Sequence, residues 1–229
     1  MTDTSNSIIQ TPDLGYIMVG HTQSTQGNIT NNNGDADFWI VKTDAFGNLV
    51  WQKTYSRTYF DDASSVQNTS DGGYIVAGYT TSNDGNVTQH KGEKDFWIVK
   101  IDTNGNLQWQ KTYGGTENDW ASSIKQTSDG GFIIAGTSQS QNGDITNPFG
   151  NTDYWVVKTD NQGNLQWQKS YGGSSTDTAN DIQLTSDGGY ILIGLSNSSN
   201  GLHTTASLGG SDIWVVKISN IGNLEWEKN

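Results

Sequence analysis

A six-residue phrase recurs along the chain at a constant interval of 58 residues: TSDGGY at Thr69, TSDGGF at Thr127 and TSDGGY at Thr185, with a degenerate TPDLGY at Thr11. A fixed period of this size constrains the fold more than any other feature. Each copy must be one supersecondary unit that buries its apolar faces against its neighbours. The other landmarks keep the same step. Trp39, Trp97, Trp155 and Trp214 form one series and Trp51, Trp109, Trp167 and Trp226 another, both spaced by 58, 58 and 59 residues. Gly27, Gly85, Gly143 and Gly201 step by 58 throughout, so the extra residue of the last unit falls between Gly201 and Asp212. A length change there marks a loop.

Each unit divides into four strand-like runs, in the third unit SSIKQT, GFIIAGTS, DYWVVKTD and NLQWQKSY. SDGG joins the first two, a turn whose glycines accept positive φ and whose Asp can accept bonds from the backbone ahead. The last two are joined by Asp-x-x-Gly-Asn at Asp44, Asp102 and Asp160, with Ser219 in the fourth unit, and this reads as a tight hairpin. Trp97, Val99 and Ile101 point one way along their strand and Phe96, Ile98 and Lys100 the other, so both faces are largely apolar.

The pattern predicts an all-β β-propeller built from four four-stranded antiparallel blades. A straight β-solenoid is the rival, but its coils are shorter and stack in parallel. Asp3, Asp61, Asp119 and Asp177 open successive units, giving a single domain over 1–229 with units at 3–60, 61–118, 119–176 and 177–229. Whole units favour a closed four-bladed monomer. Two chains pairing into an eight-bladed ring, or a stretch cut from a longer array, are the other arrangements.

Composition supports strands and turns. There are 28 Gly and only 2 Pro, and apolar residues at helical spacing are missing. The 9 Trp, 9 Tyr and 6 Phe supply too much burial for a disordered chain. A formal net charge of −12, with 11 Lys and one Arg that do not cluster, disfavours nucleic acid and anionic membranes as partners. Cys is absent, which removes disulfides, thiol chemistry and Cys-based zinc sites. No apolar run reaches membrane-spanning length, and MTDTSNSIIQ lacks the basic start and apolar stretch of a signal peptide.

The pattern TSDGGYIxxG followed by DxWxVKxDxxGNLxWxKxYGG resembles the tandem β-propeller-like repeats of bacterial and archaeal secreted and surface proteins. The resemblance covers essentially the whole chain. It implies a propeller fold and a secreted or cell-surface location, and it brings no catalytic residues with it. The first unit departs most, with TPDLGY for TSDGGY and YSRTYFDD for YGGTENDW.

Eight of the nine Trp hold repeat positions, which reads as seam filling between blades rather than sugar stacking. The repeated Lys42, Lys100, Lys158 and Lys217 read as stems lying on apolar surface, with their heads in solvent or on a turn carboxylate. His21, His90 and His203 occupy unrelated places in their units, with no metal-ligand or catalytic spacing. No carboxylate pair stands out for glycoside cleavage. The oxygen-rich loops NNNGDAD at Asn31 and SNDGN at Ser82 raise calcium as the one ion to consider, though neither follows a twelve-residue calcium loop. No cofactor is expected.

In a four-stranded meander the second-to-third and unit-to-unit connections emerge at one end. The divergent residues fall mainly there: Tyr59, Phe60, His90, Trp120, Phe149 and His203. Repeated turns with varied loops are how a rigid frame presents a binding surface. The expectation is a non-catalytic binding or adhesion module whose long-loop face takes a glycan or protein ligand. The alternatives are a glycoside-active enzyme using carboxylates on the propeller face, and a structural spacer.

Overall fold

The computed structural model describes residues 2–27, 29, 32, 35–55, 58–203 and 209–229. They form sixteen strands and, among the described residues, no helix. The first blade comprises β1 (Asp3–Gln10), β2 (Tyr16–Thr22), β3 (Asp37–Thr43) and β4 (Leu49–Tyr55). The second comprises β5 (Asp61–Asn68), β6 (Tyr74–Thr80), β7 (Asp95–Ile101) and β8 (Leu107–Tyr113). The third comprises β9 (Asp119–Gln126), β10 (Phe132–Ser138), β11 (Asp153–Thr159) and β12 (Leu165–Tyr171), and the fourth β13 (Asp177–Leu184), β14 (Tyr190–Ser196), β15 (Asp212–Ile218) and β16 (Leu224–Lys228). Every sheet is antiparallel and ordered as its strands occur in sequence, which is the build of a propeller blade. The chain divides into two compact units, Met1–His90 with Lys94–Tyr113 and Lys91–Glu93 with Gly114–Asn229, each holding two blades.

The TSDGG phrase is a turn held from three sides. In the third blade the Thr127 amide donates to the Gly131 carbonyl at 2.9 Å, and Gly130 takes φ 83° to close the corner. Asp129 accepts the Thr127 hydroxyl and, at 3.0 Å, the Gly131 amide. Lys158, buried in β11, reaches the same carboxylate at 2.9 Å. The ion pair repeats as Lys42–Asp13, Lys100–Asp71 and Lys217–Asp187 at 2.8–2.9 Å. Each copied Lys is thus a strut from the third strand to the first turn, as the sequence suggests. In the first blade Leu14 occupies the left-handed position, φ 65°, where the other blades have Gly72, Gly130 and Gly188.

The second turn is equally explicit. Asp160 accepts the amides of Gln162 and Asn164 at 2.8 Å and the Asn164 side chain at 2.8 Å. Ser219 supplies a weaker version, accepting the Asn223 amide at 3.1 Å. The first strand of each blade starts about a turn earlier than its apolar run suggests. A β-bulge, at the Ala135/Gly136 step in the third blade, inserts a residue and lets pairing continue to Asp119.

Within each unit the core is a blade-on-blade seam. Phe38 of the first blade meets Trp97 of the second with ring centroids 4.8 Å apart, and Tyr154 meets Trp214 at 4.8 Å. Trp97, Trp155 and Trp214 are fully buried. Their indole N–H groups donate across the sheet to Gln110, Gln168 and Glu227 at 2.7–3.0 Å, and half-buried Trp39 donates to Gln52. Within the second Trp series, Trp51 and Trp167 pack on the seam cores of their units, and seam filling is corrected for the exposed Trp226. Trp51, Trp109 and Trp167 are half-buried and Trp226 is exposed, because they lie on the last strand, at the edge of each sheet. Trp51 and Trp167 still lean on the neighbouring blade, at Gly105 and Gly222 respectively.

Candidate functional site at the long-loop ends of the blades

The four strands of a blade leave one end carrying only tight turns and the other carrying the long connections. At the long-loop end the first strands of the second, third and fourth blades open on a buried Asp (Asp61, Asp119 and Asp177) that ties the loops down, and that of the first blade opens on the exposed Asp3. Asp119 accepts the hydroxyls of Ser138 and Ser140, the latter at 2.8 Å, and the Gly115 amide at 2.8 Å. Asp177 does the same with Ser196, Ser198 and Gly173. Burial raises the carboxyl of Asp119 against these bonds.

One residue inside this cap lies a cross-strand pair that changes in every blade: Thr4–His21, Asp62–Tyr79, Trp120–Thr137 and Thr178–Leu195. Its neighbours do not change in kind. The cap pairs are Asp3–Thr22, Asp61–Thr80, Asp119–Ser138 and Asp177–Ser196. On the other side stand Gly20, Gly78 and Gly194, where a Cβ would come within 2.0 Å of the facing carbonyl. The frame is fixed to the atom, and the pair it holds is free to differ.

In the first unit these pairs build an aromatic column. Phe60, in the connection between β4 and β5, packs on His21 at 4.9 Å and stacks on Tyr79 at 6.1 Å and 14°. Lys94 sits over the Tyr79 ring, 4.4 Å from its centroid. His21 Nδ1 lies 2.9 Å from Asp62, and Asn6 donates to the same carboxylate at 2.8 Å. Burial pushes the Tyr79 hydroxyl up to about 12, with Asp62 and Asp61 adding to it. The phenol is therefore a neutral donor at physiological pH.

The six residues singled out in the sequence take different roles. Tyr59 is 50 % exposed beside Phe60, and Phe149 is 41 % exposed in the β10–β11 connection. Trp120 is half-buried on β9. His90 is half-buried in the β6–β7 connection. The His203 side chain is turned inward, stacked on Trp214 at 4.2 Å with Nε2 3.1 Å from the Ser196 hydroxyl. His21, Tyr79 and Lys94 complete the column without having been singled out. For His21 and Tyr79 the signal was the place where aligned units disagree between two positions that agree; Lys94, in the β6–β7 connection, carried no such signal.

In the second unit the carboxylates of Asp153 and Asp177 converge on Gly172. An oxygen of each lies within 2.7 Å of the point where Gly172 would carry a Cβ. Burial pushes the Asp153 carboxyl up to about 6, and the Asp177 charge adds to that. Asp153 accepts the amides of Phe149 and Gly150, at 2.7 and 3.3 Å. Both residues are buried.

Among the described residues no group of three or more His, Asp or Glu is placed to hold a metal ion. Of the oxygen-rich loops, Asn31, Asn33 and Gly34 lie outside the described residues. In the other, the Ser82 hydroxyl donates to Asp61 and Asp84 accepts the Thr58 hydroxyl. No described helix is long and apolar enough to cross a membrane.

Sheet order and register thus define a protein of the β-propeller class, with four blades. No family model matches the sequence. The chain is similar to the regulatory protein FlaEY of Caulobacter vibrioides, 29 % identical over 192 residues, which cover 77 % of this chain and 20 % of that protein. It therefore spans about a fifth of that relative's length. Among solved structures, the WD40 domain of Pan2 from Neurospora crassa superposes with a TM-score of 0.49 at 15 % identity, covering 96 % of this chain and 65 % of that one. Sqt1 from Chaetomium thermophilum gives 0.46 at 13 % identity over 96 % of this chain and 44 % of that one. At those scores the fold assignment rests on the strand order of this chain alone.

Proposed function

We propose that this chain is a non-catalytic binding module of an exported protein, recognising a protein partner through the long-loop ends of its blades. The observation that carries the reading is the variable cross-strand pair set in a repeated frame. A scaffold under selection only to fold would repeat that pair with the rest of the blade. The chemistry differs from blade to blade: His with Thr, Asp with Tyr, Trp with Thr, Leu with Thr. A homopolymeric ligand would be met by one residue type repeated, whereas a protein surface is met by a mosaic with aromatic anchors. The export component rests on the resemblance of the repeat to those of secreted and surface proteins.

The test is affinity capture with chemical crosslinking from the envelope and culture fluid of the source cells, using wild type and a Tyr59→Ser, Lys94→Ser, Phe149→Ser triple variant. A discrete protein crosslinked through the wild type and lost with the variant is the expected result. Equal capture by both would overturn the proposed surface. Hydrolysis of a chromogenic glycoside, abolished by one Asp or Glu substitution, would overturn the non-catalytic reading.

A further inference from the structure

The opposite, tight-turn end of the first unit carries a feature that the repeat does not predict. In three blades the second residue of the last strand reaches back to the buried lysine. Gln108 accepts from Lys100 at 2.8 Å, Gln166 from Lys158 at 3.1 Å and Glu225 from Lys217 at 2.9 Å. The first blade has Val50 there, whose side chain carries no acceptor and is 57 % exposed. Lys42 is satisfied without it, donating to both oxygens of Asp13 and to the Thr43 carbonyl at 2.8–3.0 Å. Val50 lines a cleft of about 420 Å³ between the turns of the first and second blades, larger than the cleft of about 270 Å³ between the corresponding turns of the third and fourth, where Gln166 is present.

Its walls combine ring faces with hydrogen-bonding groups. The Trp51 indole is locked by its N–H donating to the Thr103 carbonyl at 3.1 Å, and its ring centroid lies 6.4 Å from that of Tyr74. Gly105 backs the Trp51 ring so closely that a Cβ would stand 3.1 Å from it. Burial, with the nearby Asp13 charge, raises the Tyr74 hydroxyl, so it remains a donor. Asp13 and Asn104 stand exposed in the same lining.

A fixed aromatic pair beside a carboxylate and an amide suits a ligand with an apolar face and a rim of hydroxyls. A phosphate or carboxylate ligand is disfavoured, because Asp13 already neutralises the one cation in the lining and the chain carries a net charge of −12. We propose that the cleft around Trp51, lined by Val50 where other blades carry Gln or Glu, is a subsite for a neutral pyranose unit of a glycan. It is independent of the long-loop surface and would stand if that surface failed its own test.

Trp fluorescence and calorimetric titrations with cellohexaose, laminarihexaose, xylohexaose and chitohexaose test the proposal on the whole chain. Val50→Gln installs the residue of the second and third blades, so it should fill the cleft without disturbing the fold. At least one hexasaccharide should bind the wild type, and Val50→Gln should weaken it by about tenfold or more with an unchanged melting temperature. Trp51→Ala should abolish it, while the Tyr59, Lys94, Phe149 triple variant should retain it. Absence of binding to all four sugars would overturn the subsite, as would equal affinity in Val50→Gln or stronger binding of oligogalacturonate than of any neutral sugar.

Discussion

The buried hydroxyl of Tyr171 donates to the carbonyl of Gly222 at 2.6 Å, and the first unit repeats the bond between Tyr55 and Gly105 at 2.6 Å. Each ties the end of one blade's last strand to the hairpin turn of the next blade. Removing the hydroxyl would leave a buried carbonyl without its donor. Tyr171→Phe should therefore lower the unfolding free energy by about 1–3 kcal/mol, read from urea denaturation, while deleting no apolar surface. An unchanged midpoint would show that the bond contributes nothing net.

Gly222 sits under that hydroxyl with φ 76°, where a Cβ would approach Trp167 to 2.8 Å. Gly47 holds the matching position in the first blade with φ 83° and nothing within 4 Å. Comparing the two separates conformational strain from collision. Gly47→Ala should cost about 1–2 kcal/mol, the penalty of a left-handed L-residue. Gly222→Ala should cost about 1–3 kcal/mol more, from overpacking on the indole. Equal thermal shifts would mean that Trp167 moves aside freely.

The two Trp series should behave differently on truncation. Trp97 is fully buried against Phe38, and Trp97→Ala should cost about 3–5 kcal/mol. Trp226 is 44 % exposed at a sheet edge, and Trp226→Ala should cost less than about 1 kcal/mol. Chemical denaturation of the two variants checks both; a large loss at Trp226 would place that ring in a seam.

Stability should peak in mildly acidic solution. Asp153, pushed up to about 6 chiefly by burial, keeps its proton where the unfolded chain has released it. The fold is therefore favoured below that value, and stability falls as the pH rises from about 4 through about 6, by on the order of 2–3 kcal/mol. At the acid end the sign reverses. Asp71 and Asp129 are held at about 2, where hydrogen bonds from Thr69 and Thr127 and from Lys100 and Lys158 outweigh the burial that would raise them. Their contribution is lost as the pH falls from about 4 to about 2. Asp153→Asn should flatten the upper limb and leave the lower one intact, in urea midpoints measured across the range. A wild-type midpoint that does not fall between pH 4 and 6 would remove the buried-carboxyl account.

The blade was legible because its determinants are local. TSDGGF and Asp-x-x-Gly-Asn carry their turn chemistry within a few residues, and the strand from Asp153 to Thr159 ends one residue inside the run read from the sequence. The bulge that carries β9 back to Asp119 was hidden, since it depends on partner register rather than on composition. Burial was hidden for the same reason. Trp155 and Trp167 look alike in the repeat, yet one sits inside a sheet and the other at its edge. The loop residues at Tyr59 and Trp120 could be singled out by eye. Assigning their partners needed the pairing that sets Trp120 against Thr137 and Asp62 against Tyr79.

The copied strands also pose a problem for the chain as it folds. β3 and β7 both begin Asp-Phe-Trp-Ile-Val-Lys, so nothing in those side chains tells β3 to pair with β4 rather than with β8. What distinguishes the partners is distance along the chain. The correct hairpin closes over residues 44–48, and the wrong one would have to close over residues 44–106. Loop-closure entropy favours the short connection by about 2 kcal/mol, a bias towards the right partner of a few tens to one. The tight turns therefore act as addresses, sorting near-identical strands into their own blades before the side chains could discriminate. Lengthening the connection at 44–48 with a flexible insert would erase that address, and strand exchange between blades would become the main hazard of refolding.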